Sequence, residues 1–378
     1  MERAYIRARE LCEQLGETRQ LFSVLRGLWE CYELQGKLGA AREFAEQLLG
    51  LAQNIADPAL LVVAHNVLAD NLLWEGQFVA ARTHAEQGAA LYDRQQHHAL
   101  ASLYGGYDPG VGDLSMMALA LWQLGYPDQG LKRVHEALTL AQELSHPYSL
   151  AGALSFAAQF HQFRQEGQAA REQAEAALVL SHEHGFPFWG ALATILHGWA
   201  LAGHEQGEEG IAQIRQGWSV FRAAGAEWGG SCWPALLAAA YGKAEQFEEG
   251  LALLAEALAT VNKTEEHFWE AELYRLKGEL SLQSAVRSPQ SEIPNTQHLT
   301  PSTQSEAEAC FHKAIEVAQH QHAKSLELRA TVSLARLWQR QGKKKHARQM
   351  LAKIYAWFTE GFDTKDLQEA KALLQELT

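Results

Sequence analysis

The stretch Gly36-Lys-Leu-Gly-Ala-Ala-Arg42-Glu-Phe-Ala45-Glu-Gln47 returns 40 residues later as Gly76-Gln-Phe-Val-Ala-Ala-Arg82-Thr-His-Ala85-Glu-Gln87. A motif that recurs at fixed spacing marks stacked supersecondary units. Counterparts of Ala45 fall at Ala85, His135, Ala174, Arg215, Ala255, His312 and Leu351, at intervals of 40, 50, 39, 41, 40, 57 and 39 residues. The period is near 40, with about ten extra residues before His135 and 17 before His312.

Each unit reads as two helices. The first ends at a glycine (Gly36, Gly76, Gly125, Gly167, Gly207 or Gly342), which tolerates the left-handed conformation that stops a helix. The second carries an apolar stripe, as in Leu131, Val134, Leu138 and Leu140. Pro58, Pro147 and Pro187 stand where a new first helix would begin. Ala41, Ala69, Ala81, Ala118, Ala200, Ala238 and Ala335 let neighbouring helices approach. Such units bury their apolar faces only by stacking. The expected fold is all-α: one right-handed α-solenoid of about eight helix pairs over residues 1–378, with a HEAT-like array as the alternative. Two inserts interrupt it, a packed loop over 92–113 and a flexible surface loop over 284–304. A capping helix over 363–378, N-capped by Asp363 or Thr364, closes the array.

Composition agrees. Ala numbers 61 against 21 for Ile and Val together, which disfavours sheet. The balance of 32 basic and 45 acidic residues leaves a net charge of −13, against a general nucleic-acid binder. No apolar run is long enough to cross a membrane, and the first residues lack a secretory core. Cys12, Cys31, Cys232 and Cys310 are widely spaced, as reduced cytoplasmic thiols would be.

Leu25, Leu28, Tyr32, Gly36 and Ala41 lie on the spacing of the tetratricopeptide repeat (TPR), which the units resemble. They depart from it in length and in Trp29, which stands where a small residue is usual. Five further segments are similar to one TPR region in particular. They are His98-Ala-Leu-Ala-Ser-Leu-Tyr-Gly-Gly-Tyr-Asp-Pro-Gly110, Leu121-Trp-Gln-Leu-Gly-Tyr-Pro-Asp-Gln129, Glu208-Glu-Gly-Ile-Ala-Gln-Ile-Arg-Gln216, Trp269-Glu-Ala-Glu-Leu-Tyr-Arg-Leu-Lys-Gly-Glu279 and Trp357-Phe-Thr-Glu-Gly-Phe-Asp-Thr364. They resemble the carboxy-terminal array of bacterial proteins that join a nucleotidyl cyclase to a signal-transduction ATPase with numerous domains. That resemblance implies a cytoplasmic, non-catalytic sensor or protein-interaction domain that regulates an upstream ATPase/cyclase module. Tyr5 to Gly16 reads as the second helix of a unit whose first is missing, so the chain is expected to be a fragment of such a protein. A free-standing scaffold is the alternative. An enzyme with a sequence-distant active site is the remote one, since neither a phosphate loop nor a recognisable catalytic motif occurs.

In TPR superhelices the first helices line the concave surface. Counting back from each turn places Arg26, Glu30 and Glu33 there in repeat one, Asn66 and Asp70 in repeat two, and Ser115 and Trp122 in repeat three. His161 and Arg164 follow in repeat four, His197, Leu201 and His204 in repeat five, and Arg336 and Arg340 in repeat eight. Glu272, Arg275 and Glu279 share one helix face in repeat seven. The candidate groove set is Asn66, Asp70, Trp122, His161, His197, His204, Glu272, Arg275 and Arg336, with Trp122 as aromatic anchor. The expected partner is a protein, a peptide or a small effector. No metal or other cofactor is expected, because His182, His184, His320 and His322 lack partners at ligand spacing.

Overall fold

The computed structural model describes residues 2–104, 106–203, 206–223, 225–287 and 301–378, and among these every regular element is a helix. An opening helix, α1 (Glu2–Leu15), packs on the first of eight pairs. Repeat one is α2 (Thr18–Leu34) with α3 (Leu38–Ile55), and repeat two is α4 (Pro58–Trp74) with α5 (Phe78–Leu91). Two one-turn helices, α6 (Arg94–His97) and α7 (Leu100–Leu103), precede repeat three, which is α8 (Pro109–Gln123) with α9 (Pro127–Leu144). Repeats four and five are α10 (Pro147–Phe163) with α11 (Gly167–His184), and α12 (Pro187–Ala202) with α13 (Gly207–Ala223). Repeats six and seven are α14 (Cys232–Lys243) with α15 (Phe247–Thr264), and α16 (Glu270–Arg287) with α17 (Pro301–His320). Repeat eight is α18 (Lys324–Arg340) with α19 (Lys344–Tyr355), followed by α20 (Lys365–Glu376).

The pairing follows from local chemistry. Asp57 and Asp108 cap α4 and α8 by accepting backbone N–H groups two or three residues on, and a proline follows each at the first helical position. First helices are buried on nearly every face: α8 keeps all but one of its fifteen residues covered. Second helices such as α9 and α15 bury one stripe. Small residues set the closest approaches. A Cβ on Gly210 of α13 would lie 2.5 Å from the backbone of α12, so no larger residue fits there without moving a helix.

Three local expectations change. The segment 92–113 is not a loop, since α6, α7 and the start of α8 occupy most of it. The turn of repeat four puts Gln165, not Gly167, in the left-handed region, and Gly167 and Gly207 instead begin second helices. Thr364 stands at the N-cap of α20, but its hydroxyl donates to the Gly361 carbonyl at 2.6 Å instead of receiving a helix N–H. For the second insert, residues 288–300 lie outside the described residues, and the flanks on either side extend α16 and α17.

The array also winds back onto itself. The N–H of Glu227, ahead of α14, donates to the Leu34 carbonyl at the end of α2 at 2.8 Å. The N–H of Phe268, ahead of α16, donates to the Trp74 carbonyl at the end of α4 at 3.1 Å. Ser325 Oγ of α18 donates to the Trp122 carbonyl of α8 at 2.5 Å. Repeat one thus meets repeat six, two meets seven and three meets eight. The Leu34 and Trp74 carbonyls, which their own helix ends leave without a partner, are satisfied by the next superhelical turn. Between the turns runs a column of rings. Trp74 contacts Trp228 and Phe268, with centroids 4.6 and 4.7 Å apart, and Phe163 stacks on Trp269 at 4.8 Å. The concave side is therefore not one open groove.

Candidate functional site

What remains open inside is a cavity of about 280 Å³, bounded by the first helices of repeats one to five, the first insert and the approach to α14. One side is charged. Arg26, Glu30 and Glu33 of α2 face Asn66 and Asp70 of α4 across it. Arg26 is committed: its Nη1 donates to Glu30 at 3.1 Å, and its guanidinium lies 4.4 Å from the Trp29 ring centroid. Asp70 accepts from the Trp74 indole at 2.8 Å. Glu33 is buried, at 6% exposure, and among the described residues its carboxyl has neither a hydrogen bond nor an ion pair. Burial, and then the neighbouring Asp70, push the Glu33 carboxyl well above its ordinary range, with Arg26 opposing. Burial likewise raises Asp70 to about 6.

The other side is aromatic. Trp189 of α12 gathers Tyr107, Tyr148 and Phe156 around it, with centroids 5.4 to 5.7 Å away. Tyr104 and Tyr107 come from the first insert, which forms a wall of the cavity. Asp108 anchors that insert: it accepts the Tyr92 hydroxyl at 2.9 Å and sits 3.0 Å from His98 Nδ1.

Helical counting brings part of the candidate set together. Asn66 and Asp70 share the cavity, and Asn66 Nδ2 also donates to Asp113 at 3.0 Å. Glu272 and Arg275 line a second cavity, of about 270 Å³, but bind each other through two bonds of 2.7 and 2.8 Å. Burial opposes the Glu272 charge and Arg275 outweighs it, so that carboxylate stays below its ordinary range. Glu279 and Ser333 complete a closed network.

The others lie elsewhere. Trp122 is buried at 2% exposure between Phe163 and Trp269, so it is a packing residue and not a groove anchor. His161 pairs with Glu166 at 2.6 Å, at its own turn. His197 sits between second helices, with Gln213 of α13 at 2.7 Å and Glu175 of α11 at 3.3 Å. Arg336 pairs with Glu369 of α20 at 2.8 Å. His204 lies outside the described residues. The counting missed Trp29, Tyr104, Tyr107, Tyr148, Trp189 and Trp228. Trp29, bulky where a small residue is usual, was the signal available.

Among the described residues, no group of three or more His, Cys, Asp or Glu is placed to hold a metal ion, and no helix is long and apolar enough to cross a membrane.

No family model matches the chain. An uncharacterized protein of Rhizobium meliloti (strain 1021) is 24% identical over 250 residues, which cover 66% of this chain and 23% of that protein. The chain thus spans about a quarter of the length of the curated relative it matches. Among solved structures, a monomeric IFIT1 mutant determined with Gppp-AAAA matches with a TM-score of 0.51 and 14% identity, over 94% of this chain and 77% of that one. A signal-transduction ATPase with a tetratricopeptide-repeat sensor from Pyrococcus horikoshii matches with a TM-score of 0.47 and 14% identity, over 99% and 55%. The fold is that of a TPR-like helical solenoid.

Proposed function

We propose that the chain is the non-catalytic sensor of a larger cytoplasmic signalling protein, in which a ligand held inside the superhelix regulates an upstream ATPase or cyclase module. The observation that carries this reading is the cavity's position. Its walls come from repeats one to five on one superhelical turn and from Trp228, at the approach to repeat six, on the next. An occupant that fits one spacing of the turns better than another shifts the balance between them, and that differential affinity is all a regulatory ligand requires. The relative's greater length supports the reading as a module of a longer protein. Phosphate-bearing ligands fit poorly, because three carboxyl groups and one committed guanidinium line the site.

The test is the gene itself. The reading frame upstream should encode a nucleotide-binding module in the same chain. Purified full-length protein should change its nucleotide turnover when residues 2–378 of this chain are removed. Unchanged turnover, or a gene with no such module, would overturn the proposal in favour of a free-standing scaffold.

A further inference from the structure

The cavity's lining names the charge of its occupant. Three carboxyl groups, Glu30, Glu33 and Asp70, meet a single cation, Arg26, and Arg26 is already paired with Glu30. Glu33 is nine-tenths buried and has no hydrogen-bond or ion-pair partner among the described residues. A buried carboxyl left unsatisfied is costly, whether charged or neutral, so such a group marks a place for something else. An anion would add repulsion. A neutral apolar body would leave Glu33 unpaired. Aromatic rings line the opposite side, including Tyr107, Tyr148 and Trp189, and the electron-rich faces of such rings attract cations.

We propose that this cavity takes a small organic cation, an ammonium head on an apolar body, with Glu33 and Asp70 as its counter-ions and the aromatic wall as its cage. The inference rests on the reading of the interior as a recognition site. The volume, about 280 Å³, suits a molecule of choline or phenethylammonium size and excludes a folded peptide segment. Charged and titratable groups facing Glu33 are Arg26 and Glu30 on its own helix, Asp70 on α4 and Glu266 ahead of α16. Tyr107 and Tyr148 line the same cavity. Burial raises both the Glu33 and Asp70 carboxyls in the empty site, Asp70 to about 6, so that below this value Asp70 carries a proton. A cation must therefore displace a proton, and its binding should strengthen between pH 5 and pH 7 and release protons to the buffer, on the scale set by the Asp70 value of about 6.

The experiment is calorimetric titration of the full chain with choline, with its neutral carbon isostere dimethylbutanol, with phenethylammonium and with phenylacetate. Either cation should bind about tenfold or more tightly than its neutral or anionic counterpart. Glu33→Gln should remove about tenfold of that affinity while leaving the melting temperature near that of the parent, because the amide fills the same space without the carboxyl's charge. Asp70→Asn serves the same purpose if Glu33→Gln does not fold. If the neutral and anionic probes bind as well as the cations, the charge assignment is overturned and the interior remains a recognition site. If no probe of any charge binds, the cation assignment falls, and the sensor reading stands or falls on the turnover comparison alone.

Discussion

The guanidinium of Arg329, in repeat eight, lies over the ring of Trp122, in repeat three, 4.8 Å from its centroid. The same side chain donates to the Phe163 carbonyl at the end of α10 and to Asp366 of α20 at 2.9 Å. One buried cation thus joins four helices that belong to two superhelical turns and the terminal cap. The closure of the array depends on contacts of this kind.

Arg329→Ala removes the cationic partner of Asp366, whose side chain is 13% exposed, and leaves it only the Gln165 amide at 2.7 Å among the described residues. An uncompensated buried charge costs roughly 3–5 kcal/mol. Urea unfolding should show a loss of that order, and adding Asp366→Asn should recover part of it. Additive losses in the double variant would mean that the pair is not coupled.

Trp122→Ala empties a site enclosed by Phe163, Trp269 and Arg329. A truncation of this size in a packed interior costs about 3–5 kcal/mol. The melting temperature should drop clearly. A variant that melts with the parent would show that the two turns do not clamp this ring in solution.

Gly76 has φ of 75°, and a Cβ there would stand 2.3 Å from Gln321 Nε2 and 3.2 Å from the His267 carbonyl oxygen on the next turn. Gly76→Ala should cost about 1–2 kcal/mol from backbone strain alone. Gly50, inside α3, has nothing within 4 Å of its would-be Cβ, so Gly50→Ala should be neutral or stabilising by up to about 1 kcal/mol. Chemical denaturation of the two variants side by side reads the difference.

Acidity should favour the empty fold. Burial raises Asp70 from 3.8 to about 6 and Glu266 from 4.5 to about 7, so the folded state holds protons that the unfolded chain has released. The contribution is fully present below the unfolded values and is lost as pH rises through the folded ones. Relative to the parent, Asp70→Asn should therefore gain stability as pH goes from about 4 to about 6, where only the parent gives up its proton. A stability difference independent of pH in that interval would place an ionised Asp70 in the empty cavity.

Part of the site was legible because a helix repeats its faces. Arg26, Glu30 and Glu33, and then Asn66 and Asp70, fall on the inward side by counting back from Gly36 and Gly76, and they do meet across one cavity. The same counting carried Trp122, His161 and His197 to the same expectation, and they sit in three different surroundings. The aromatic half of the cavity was not legible. Tyr104 and Tyr107 arrive from the first insert, outside the repeat, and Trp228 arrives from a later turn.

What the sequence by itself determined is local and periodic. Left-handed glycines at the turns of repeats one, two, three and eight, proline at helix starts, small residues at crossings and an apolar stripe every second helix are sufficient for paired helices that must stack. Only the tertiary structure decided which inward-facing residues stay open. Glu33 and Trp122 hold the same place on the first helices of repeats one and three, three residues before Gly36 and Gly125, yet one lines a cavity and the other is covered by repeat eight. The difference lies in how far the array turns before it returns, with repeat one under six, two under seven and three under eight. That offset is the sum of a small rotation at every repeat interface, set by packing along the whole chain, and no short window of sequence contains it.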